Sequence, residues 1–264
     1  MRLSITHRTE YEYDAPVDYA LQQVRLTPTS NSQQNVLSWQ VDVEGGQEEL
    51  SFTDQYKNHT MMVSIIPGGT KVVLTASGEV DTLDQTGVLG PVYGYAPLWH
   101  FTQHSELTKP GRELRKLART IKGEDVLPSL HNLSATIAEK VKYEAGKTYA
   151  ATSAEQALEG GYGVCQDHAQ IFIAAARAAG VPARYVSGYL MMNDRVDQDA
   201  SHAWAEAHVD GLGWVGFDVS NGISPDERYV RIAVGLDYRD AAPVSGMRMG
   251  NANESMIVSV QVQQ

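Results

Sequence analysis

The first part of the chain alternates between apolar and polar residues. Apolar or aromatic side chains occupy most alternate positions over residues 3–13, 37–43 and 71–80. A short apolar run over residues 61–66 stops at a Pro-Gly-Gly turn. A period of two is typical of strands that bury one face, and Gly or Pro punctuation separates such strands. The pattern therefore predicts a small β-sandwich-like domain, or a small barrel, over about residues 1–85.

Farther along the chain, the spacing of apolar residues changes from every second position to the three or four positions that are typical of a helix. Residues 114–121 and 133–141 carry apolar side chains three or four positions apart, and Gly123 is expected to end the first of these helices. A Ser-x-x-Gln capping box at residues 153–156 predicts a short third helix. A fourth helix is predicted over residues 165–180. Because it is apolar on nearly every side, it is expected to be central and buried.

Three more strands are predicted after the fourth helix, over residues 183–191, 202–209 and 213–219. The acidic segment 192–200 lacks apolar periodicity and is expected to be a mobile loop. A last alternating segment over residues 256–264 needs a partner strand, and the N-terminal β domain is its expected host.

These patterns together predict an α+β protein in four parts. The predicted parts are an N-terminal β domain (1–85), an aromatic Gly/Pro connector with Tyr93, Tyr95, Trp99 and Phe101 (86–110), an α+β core (111–240), and a C-terminal segment whose strand returns to the β domain (241–264).

Composition narrows the class of partner. The 264 residues carry a net charge of −11, which argues against nucleic acid or an anionic membrane as a partner, because both require a basic face. No apolar run reaches the length of a membrane span, and the first residues do not resemble a signal peptide. With a single cysteine, the expected location is the cytoplasm.

Cys165 is the only cysteine and lies where glycines lead into the predicted fourth helix. The first N–H groups of a helix lack intrahelical acceptors, and the helix dipole is positive there, so this position stabilises a thiolate. The position therefore favours a nucleophile. The alternative is a buried cysteine that acts as a small apolar side chain.

His202 and Asp218 are the candidate partners of this nucleophile, as base and as the residue that orients the base. His202 begins one predicted strand and Asp218 ends the next, so a hairpin would bring them together. A hairpin that pairs Val209 with Trp214 would put the two side chains on opposite faces of the sheet. They share a face only if a bulge or an odd-length loop lies near residues 210–213.

A zinc site is the competing hypothesis. Cys165 and His168 are one helical turn apart, and His202, His208 and Asp218 could complete the ligand shell. The second strand offers no closely spaced His or Cys pair, which disfavours this hypothesis. No metal and no cofactor are therefore expected.

Three sequence motifs together resemble those of one protein family. The segments GVCQD (163–167), SHAWAE (201–206) and GWVGFD (213–218), in this order, resemble the bacterial transglutaminase-like superfamily, which includes cysteine proteases. Residues 2–17 and 231–246 resemble the opening strand and the C-terminal segment of the same family. The resemblance implies a papain-like, or transglutaminase-like, core with Cys165 as nucleophile, His202 as base and Asp218 as orienting residue.

The expected function is acyl transfer from an amide in a protein or peptide substrate, through a thioester, with hydrolysis favoured over transamidation. The Cys165 backbone N–H is the first expected oxyanion donor. Tyr143, Tyr149 and Trp99 are candidates for the second. The alternative from another class is a non-catalytic protein-binding module that retains the three residues.

Overall fold

The computed structural model describes residues 1–91, 95–122 and 125–264. Tyr93 of the predicted connector and Gly123, the predicted helix end, lie outside the described residues. The strands are β1 (Arg2–Tyr13), β2 (Tyr19–Thr27), β3 (Gln34–Glu44), β4 (Gly46–Thr53), β5 (His59–Ile65), β6 (Lys71–Thr82), β7 (Val88–Gly90), β8 (Lys142–Tyr143), β9 (Tyr162–Gly163), β10 (Ala183–Leu190), β11 (Asp197–Gln198), β12 (His202–Val209), β13 (Gly213–Phe217), β14 (Tyr229–Gly235), β15 (Val244–Met249) and β16 (Glu254–Gln263). The helices are α1 (Arg112–Ala118), α2 (Leu127–Lys140), α3 (Ala154–Gly160), α4 (Cys165–Ala178) and α5 (Tyr238–Ala241), with a 3₁₀ turn at Leu98–Thr102.

Two antiparallel sheets form an N-terminal β-sandwich. One sheet has the strand order β11-β16-β1-β6-β3 and the other has the order β15-β2-β5-β4. Alternate side chains of both sheets meet in one apolar core, as Tyr11 and Leu74 from the first sheet do with Leu26 and Val63 from the second. The alternation along β1 is complete, because every second residue from Leu3 to Tyr13 is buried. The predicted β-sandwich-like region is confirmed.

The C-terminal strands complete this sandwich. β16 pairs antiparallel with β1, with Val262 opposite Ile5, and β15 pairs with β2, with Val244 opposite Val24. Without β16, the backbone N–H and C=O groups of β1 would form an unpaired sheet edge, which is a site for aggregation. The two ends of the chain therefore fold as neighbours.

A separate five-stranded sheet, the core sheet, carries the helices. Its strand order is β14-β10-β12-β13-β7, and α4 packs against β12. Small side chains at Ala203, Ala205 and Ala207 form the face of β12 that meets the helical core. Eleven residues of α4 are buried, so the prediction of a central buried helix is confirmed. This helix layer over an antiparallel sheet, together with the sandwich, confirms the α+β class.

The sandwich and the helical core share apolar contacts. Leu3 and Val260 of the sandwich pack with Tyr189 and Val230 of the core sheet. The buried His7 ring hydrogen-bonds the Tyr189 hydroxyl through Nδ1 at 2.9 Å. The acidic loop adds a further link, because Asp197–Gln198 forms the short strand β11 and pairs with β16. The prediction that segment 192–200 lacks regular structure is therefore wrong at β11.

Candidate active site

Cys165 is the first residue of α4, and Asp167 fixes the backbone segment that leads into it. The Asp167 carboxylate accepts hydrogen bonds from the Val164 backbone N–H at 2.8 Å and from the Thr148 hydroxyl at 2.6 Å. Gly163 leaves room for that carboxylate, because a Cβ there would lie 2.6 Å from the Asp167 Cβ. The glycine and the aspartate of the motif therefore set the start of the helix. They leave Cys165 partly exposed at the positive end of the dipole.

His202 and Asp218 are hydrogen-bonded. The distance between His202 Nε2 and Asp218 Oδ2 is 2.6 Å, and both side chains are buried. β12 and β13 pair with Val209 opposite Gly213, so three residues connect the strands. This odd-length loop places residues 202 and 218 on the same face, as diagonal neighbours. With Nε2 engaged by Asp218, Nδ1 is the ring nitrogen that remains for Cys165.

Asp218 is held by four hydrogen bonds from three residues. Its Oδ2 accepts from the Tyr229 hydroxyl at 2.7 Å and from Asn221 Nδ2 at 2.7 Å, in addition to His202. The Asn221 backbone N–H also donates to Oδ1, at 3.2 Å. Burial favours the neutral acid, but the hydrogen bonds and the His202 charge outweigh it and lower the pKa of Asp218. The residue is therefore a carboxylate at neutral pH.

The environment of His202 favours its charged form. Burial alone would lower the pKa of this imidazole, but hydrogen bonds to Asp218 and to the Cys165 thiol raise it to about 10. The negative charges of both partners act in the same direction. Trp204 and Tyr229 lie beside the ring, with centroids 6.3 and 6.0 Å away. His202 is therefore an imidazolium at neutral pH.

Tyr143 lies beside Cys165, as the short parallel pairing of β8 with β9 requires. Tyr143 is the partner of Gly163, two residues before the cysteine. Its ring also packs edge-on against His168, 6.1 Å between centroids. Burial, the charge of Cys165 and a hydrogen bond to its thiol raise the pKa of Tyr143 to about 12, while the Cys165 backbone N–H opposes that shift. The phenol is therefore a proton donor at neutral pH.

The other two candidates for an oxyanion donor are more exposed than Tyr143, which is itself 59% exposed. Trp99 belongs to the 3₁₀ turn and is 66% exposed, and Tyr149 is 76% exposed in a turn that Thr152 closes. Of the three candidates, Tyr143 is the one that β8 places next to the start of α4, as the strand partner of Gly163.

His168 is engaged in structural hydrogen bonds. Its Nε2 bonds the Val141 carbonyl at 2.9 Å, and its Nδ1 bonds the Ser220 hydroxyl at 2.8 Å. Both ring nitrogens are thus occupied, so His168 is not available as a zinc ligand. Over residues 1–91, 95–122 and 125–264, no group of three His, Cys, Asp or Glu side chains has the arrangement of a metal site. His208 lies apart, with its ring edge-on to Trp214.

The sequence patterns did not identify Tyr229, Asn221 or Thr148 as part of this site. A signal existed for Asn221, because the Asn-Gly dipeptide that follows Asp218 indicates a turn that could fold the amide back onto the carboxylate. The backbone pairs Asp218 with Ile223 across that turn. No local signal existed for Tyr229, which arrives from a different strand.

With this geometry in place, comparison with known proteins defines the class. Residues 115–219 match the transglutaminase-like superfamily, and residues 3–81 match the bacterial transglutaminase-like N-terminal region. The chain therefore contains a transglutaminase-like core preceded by a bacterial transglutaminase-like N-terminal region. The family predicted from the three motifs is confirmed.

A solved structure and two curated proteins are similar over nearly their full lengths. A crystal structure from Cytophaga hutchinsonii, described as a "putative cysteine protease", has a TM-score of 0.78 and 26% identity, and the match covers 100% of this chain and 91% of that one. An uncharacterised protein of Mycobacterium leprae is 26% identical, with coverage of 99% of this chain and 98% of its own. One from Mycobacterium tuberculosis H37Rv is 28% identical, with coverage of 99% and 92%.

The fold and this neighbour support a cysteine-dependent catalytic role in general terms. In the described part of the chain, no helix combines the length and the apolar character that crossing a bilayer requires.

Proposed function

We propose that this protein is a cysteine-dependent hydrolase of amide bonds in proteins or peptides. Cys165 is the nucleophile, His202 the general base and acid, and Asp218 the residue that orients and charges the imidazole. The observation that carries the proposal is the 2.6 Å bond between His202 Nε2 and Asp218 Oδ2, which leaves Nδ1 for a thiol at a helix start.

The reaction begins with a thiolate and an imidazolium. The Cys165 sulfur attacks the amide carbonyl carbon, a C–S bond forms, and the π electrons of the carbonyl move to its oxygen. When the tetrahedral intermediate collapses, the C–N bond breaks and the leaving amine takes the proton of His202. The neutral imidazole then removes a proton from water, which attacks the thioester and releases the acid. The thiolate and the imidazolium are restored.

Two donors are available for the oxyanion. The backbone N–H of Cys165 is at the first helical position and needs no intrahelical acceptor. Tyr143 is the strand partner of Gly163, two residues before Cys165, and its hydroxyl keeps its proton at neutral pH. Donors that are fixed before the reaction stabilise the developing charge without reorganising, which makes such sites effective. We assign Tyr143 as the second donor.

Hydrolysis is favoured over transamidation by the neighbour described as a cysteine protease. The two outcomes share every step up to the thioester. They differ in whether water or a primary amine resolves it. A peptide substrate incubated with and without a primary amine separates them, because only transamidation gives a new amide of increased mass.

Thiol alkylation tests the site without a known substrate. Cys165 is the single cysteine, so the mass of the intact protein reports its reaction with iodoacetamide directly. We expect fast alkylation near pH 6, where an ordinary thiol is nearly all protonated. His202→Gln should restore an ordinary pH profile, with a rate that rises about tenfold per pH unit below the thiol pKa. Slow alkylation of the unmodified protein near pH 6 would support the non-catalytic binding module instead.

Substrate turnover provides the second test. A library of peptides incubated with the protein and analysed by mass spectrometry should yield cleaved products. Cys165→Ala should yield none and should unfold within about 1 kcal/mol of the parent, because a thiol is exchanged for a methyl group. Products that persist in this variant would exclude Cys165 as the nucleophile.

A further inference from the structure

His168 is a buried polar side chain of α4 to which the proposed reaction assigns no step. It is 2% exposed and lies one helical turn after Cys165, on the same side of the helix. The helix continues through the buried apolar residues Ile171, Phe172 and Ile173. An imidazole among such side chains is costly unless its ring nitrogens are hydrogen-bonded. The two hydrogen bonds of His168 are therefore a requirement of its position.

The hydrogen bonds of this ring have defined directions. A carbonyl oxygen can only accept, so His168 Nε2 carries a proton and donates to Val141 at 2.9 Å. Burial lowers the pKa of His168, so the ring is uncharged at neutral pH and its Nδ1 is an acceptor. The Ser220 hydroxyl therefore donates to Nδ1, at 2.8 Å. A buried ring that is bonded from both sides is held in one orientation.

Ser220 connects this ring to the segment that holds Asp218. It lies in the turn after β13, two residues beyond Asp218. In the same turn, Asn221 Nδ2 donates to Asp218 Oδ2 at 2.7 Å. The Ser220 bond to His168 ties this turn to α4, the helix that begins at Cys165. A displacement of the turn would move the carboxylate away from the imidazole that it charges.

Val141 connects the same ring to β8. It is the C-terminal capping residue of α2 and directly precedes β8. Tyr143 of β8 packs its ring edge-on against His168, with 6.1 Å between the centroids. Three segments that reach the candidate site from different parts of the chain therefore meet at one imidazole. A planar ring keeps their spacing better than a flexible side chain, because it has no internal rotation.

We propose that His168 is a positioning residue. Its ring fixes the spacing between the start of α4 and the turn after β13, so that the Asp218 carboxylate stays in contact with His202. This role rests on the proposed function, which gives that contact its catalytic use. His168 itself touches no reacting atom.

Three variants separate the two hydrogen bonds of the ring. Ser220→Ala removes the bond to Nδ1 at a half-buried position, with little risk to folding. His168→Gln keeps a donor at the place of Nε2 and loses the bond to Ser220, whereas His168→Asn keeps an acceptor at the place of Nδ1. Ser32→Ala is the matched control, because its hydroxyl also donates a single bond of 2.8 Å, to the Leu89 carbonyl in another part of the fold.

The His202 imidazole reports the position of Asp218. Its NMR signals are identified by their absence in His202→Gln, and the midpoint of their pH titration is measured in each variant. The contact with Asp218 raises the pKa of His202, so weakening it should lower the midpoint. We expect a fall of about one pH unit in Ser220→Ala and in His168→Gln. His168→Asn should lie closer to the parent, and Ser32→Ala should match it. The proposal is overturned if Ser220→Ala has the same midpoint as Ser32→Ala, or if His168→Asn shifts the midpoint at least as much as His168→Gln.

Alkylation of Cys165 separates this role from the proposed function. Ser220→Ala should react with iodoacetamide about tenfold more slowly than the parent near pH 6, and at the parent rate near about pH 9.5, where ordinary thiols are ionised. Equal slowing at both pH values would indicate a general loss of structure and would overturn the positioning role. Slow alkylation of the parent near pH 6, together with a lowered His202 midpoint in Ser220→Ala, would overturn the hydrolase and still support the positioning role.

Discussion

His202 and Asp218 share one face of the β12–β13 hairpin because three residues, Asp210 to Leu212, connect the two strands. The pairing of Val209 with Gly213 shifts the register by one residue from a pairing of Val209 with Trp214. A shift by one residue moves every side chain of a strand to the other face. Gly213 makes this turn possible, since its φ is +83° and a Cβ there would meet the Gly90 backbone at 2.4 Å.

Asp218→Asn should fold and lose most of its activity. The amide is isosteric with the carboxylate but carries no charge to hold the His202 imidazolium. For a triad of this type we expect kcat to fall by roughly 10²- to 10⁴-fold. Asp210→Asn, the same change in the exposed turn of that hairpin, is the matched control and should keep full activity. Peptide turnover measures both. Equal rates for the two variants would exclude Asp218 from the site.

The pH dependence of stability should report the His202 charge. Its pKa is raised in the folded state, from 6.5 to about 10. A raised pKa contributes stability that is fully present below pH 6.5 and is lost as pH rises towards 10. The difference in unfolding free energy between the parent and His202→Gln should therefore be largest below pH 6.5 and shrink up to pH 10. Urea titrations across this interval measure it. A difference that grows with pH would contradict the assigned direction.

Removal of the thiol should lower the pKa of His202. The hydrogen bond and the charge of Cys165 both favour the imidazolium, so Cys165→Ala removes two of the contributions that oppose burial. In an NMR pH titration, the midpoint of the His202 imidazole resonances should lie at lower pH in this variant than in the parent. Identical titration curves would mean that Cys165 and His202 do not interact.

Tyr143→Phe should reduce kcat with little change in KM. The hydroxyl is proposed to act on the oxyanion, which exists only after the attack, and loss of one such donor costs about 10²- to 10³-fold in kcat. Tyr162→Phe is the control, because Tyr162 lies on the adjacent strand β9 and its ring contacts Lys147. Steady-state kinetics separate the two constants. A purely structural role for Tyr143 predicts the same kcat in both variants.

Gly163→Ala should destabilise the start of α4. The new Cβ would lie 2.6 Å from the Asp167 Cβ and would displace the carboxylate that caps Val164. We expect a loss of about 1–3 kcal/mol in unfolding free energy, with slower alkylation of Cys165. Gly160→Ala is the matched control, because no atom lies within 4 Å of its added Cβ. Equal stability of the two variants would show that Asp167 can move without consequence.

The local patterns in the sequence determined the main elements and the candidate residues. Alternation identified β1, β3 and β6, and a short apolar run identified β5. The capping box of Ser153 with Gln156 is present at α3. The glycine run and the apolar helix placed Cys165 at a helix start, because both signals lie within a few residues of it.

Other elements had no comparable signal. β4 is exposed along most of its length, and β2 is interrupted by polar residues, so neither shows a clean period of two. β14 and β15 are defined by the strands they pair with, β10 and β2. Such strands depend on distant partners, and local sequence carries little information about them.

Tertiary structure decided the geometry of the candidate site. The sequence permitted two registers for β12 and β13, and only the packed turn at Gly213 against Gly90 selects the one that joins His202 to Asp218. Tyr229 reaches Asp218 from β14, and Arg231 reaches Glu206 from the same strand. The sequence determined which side chains could do this chemistry. The fold decided their distances, because hydrogen bonds between buried groups require partners that the chain brings together from far apart.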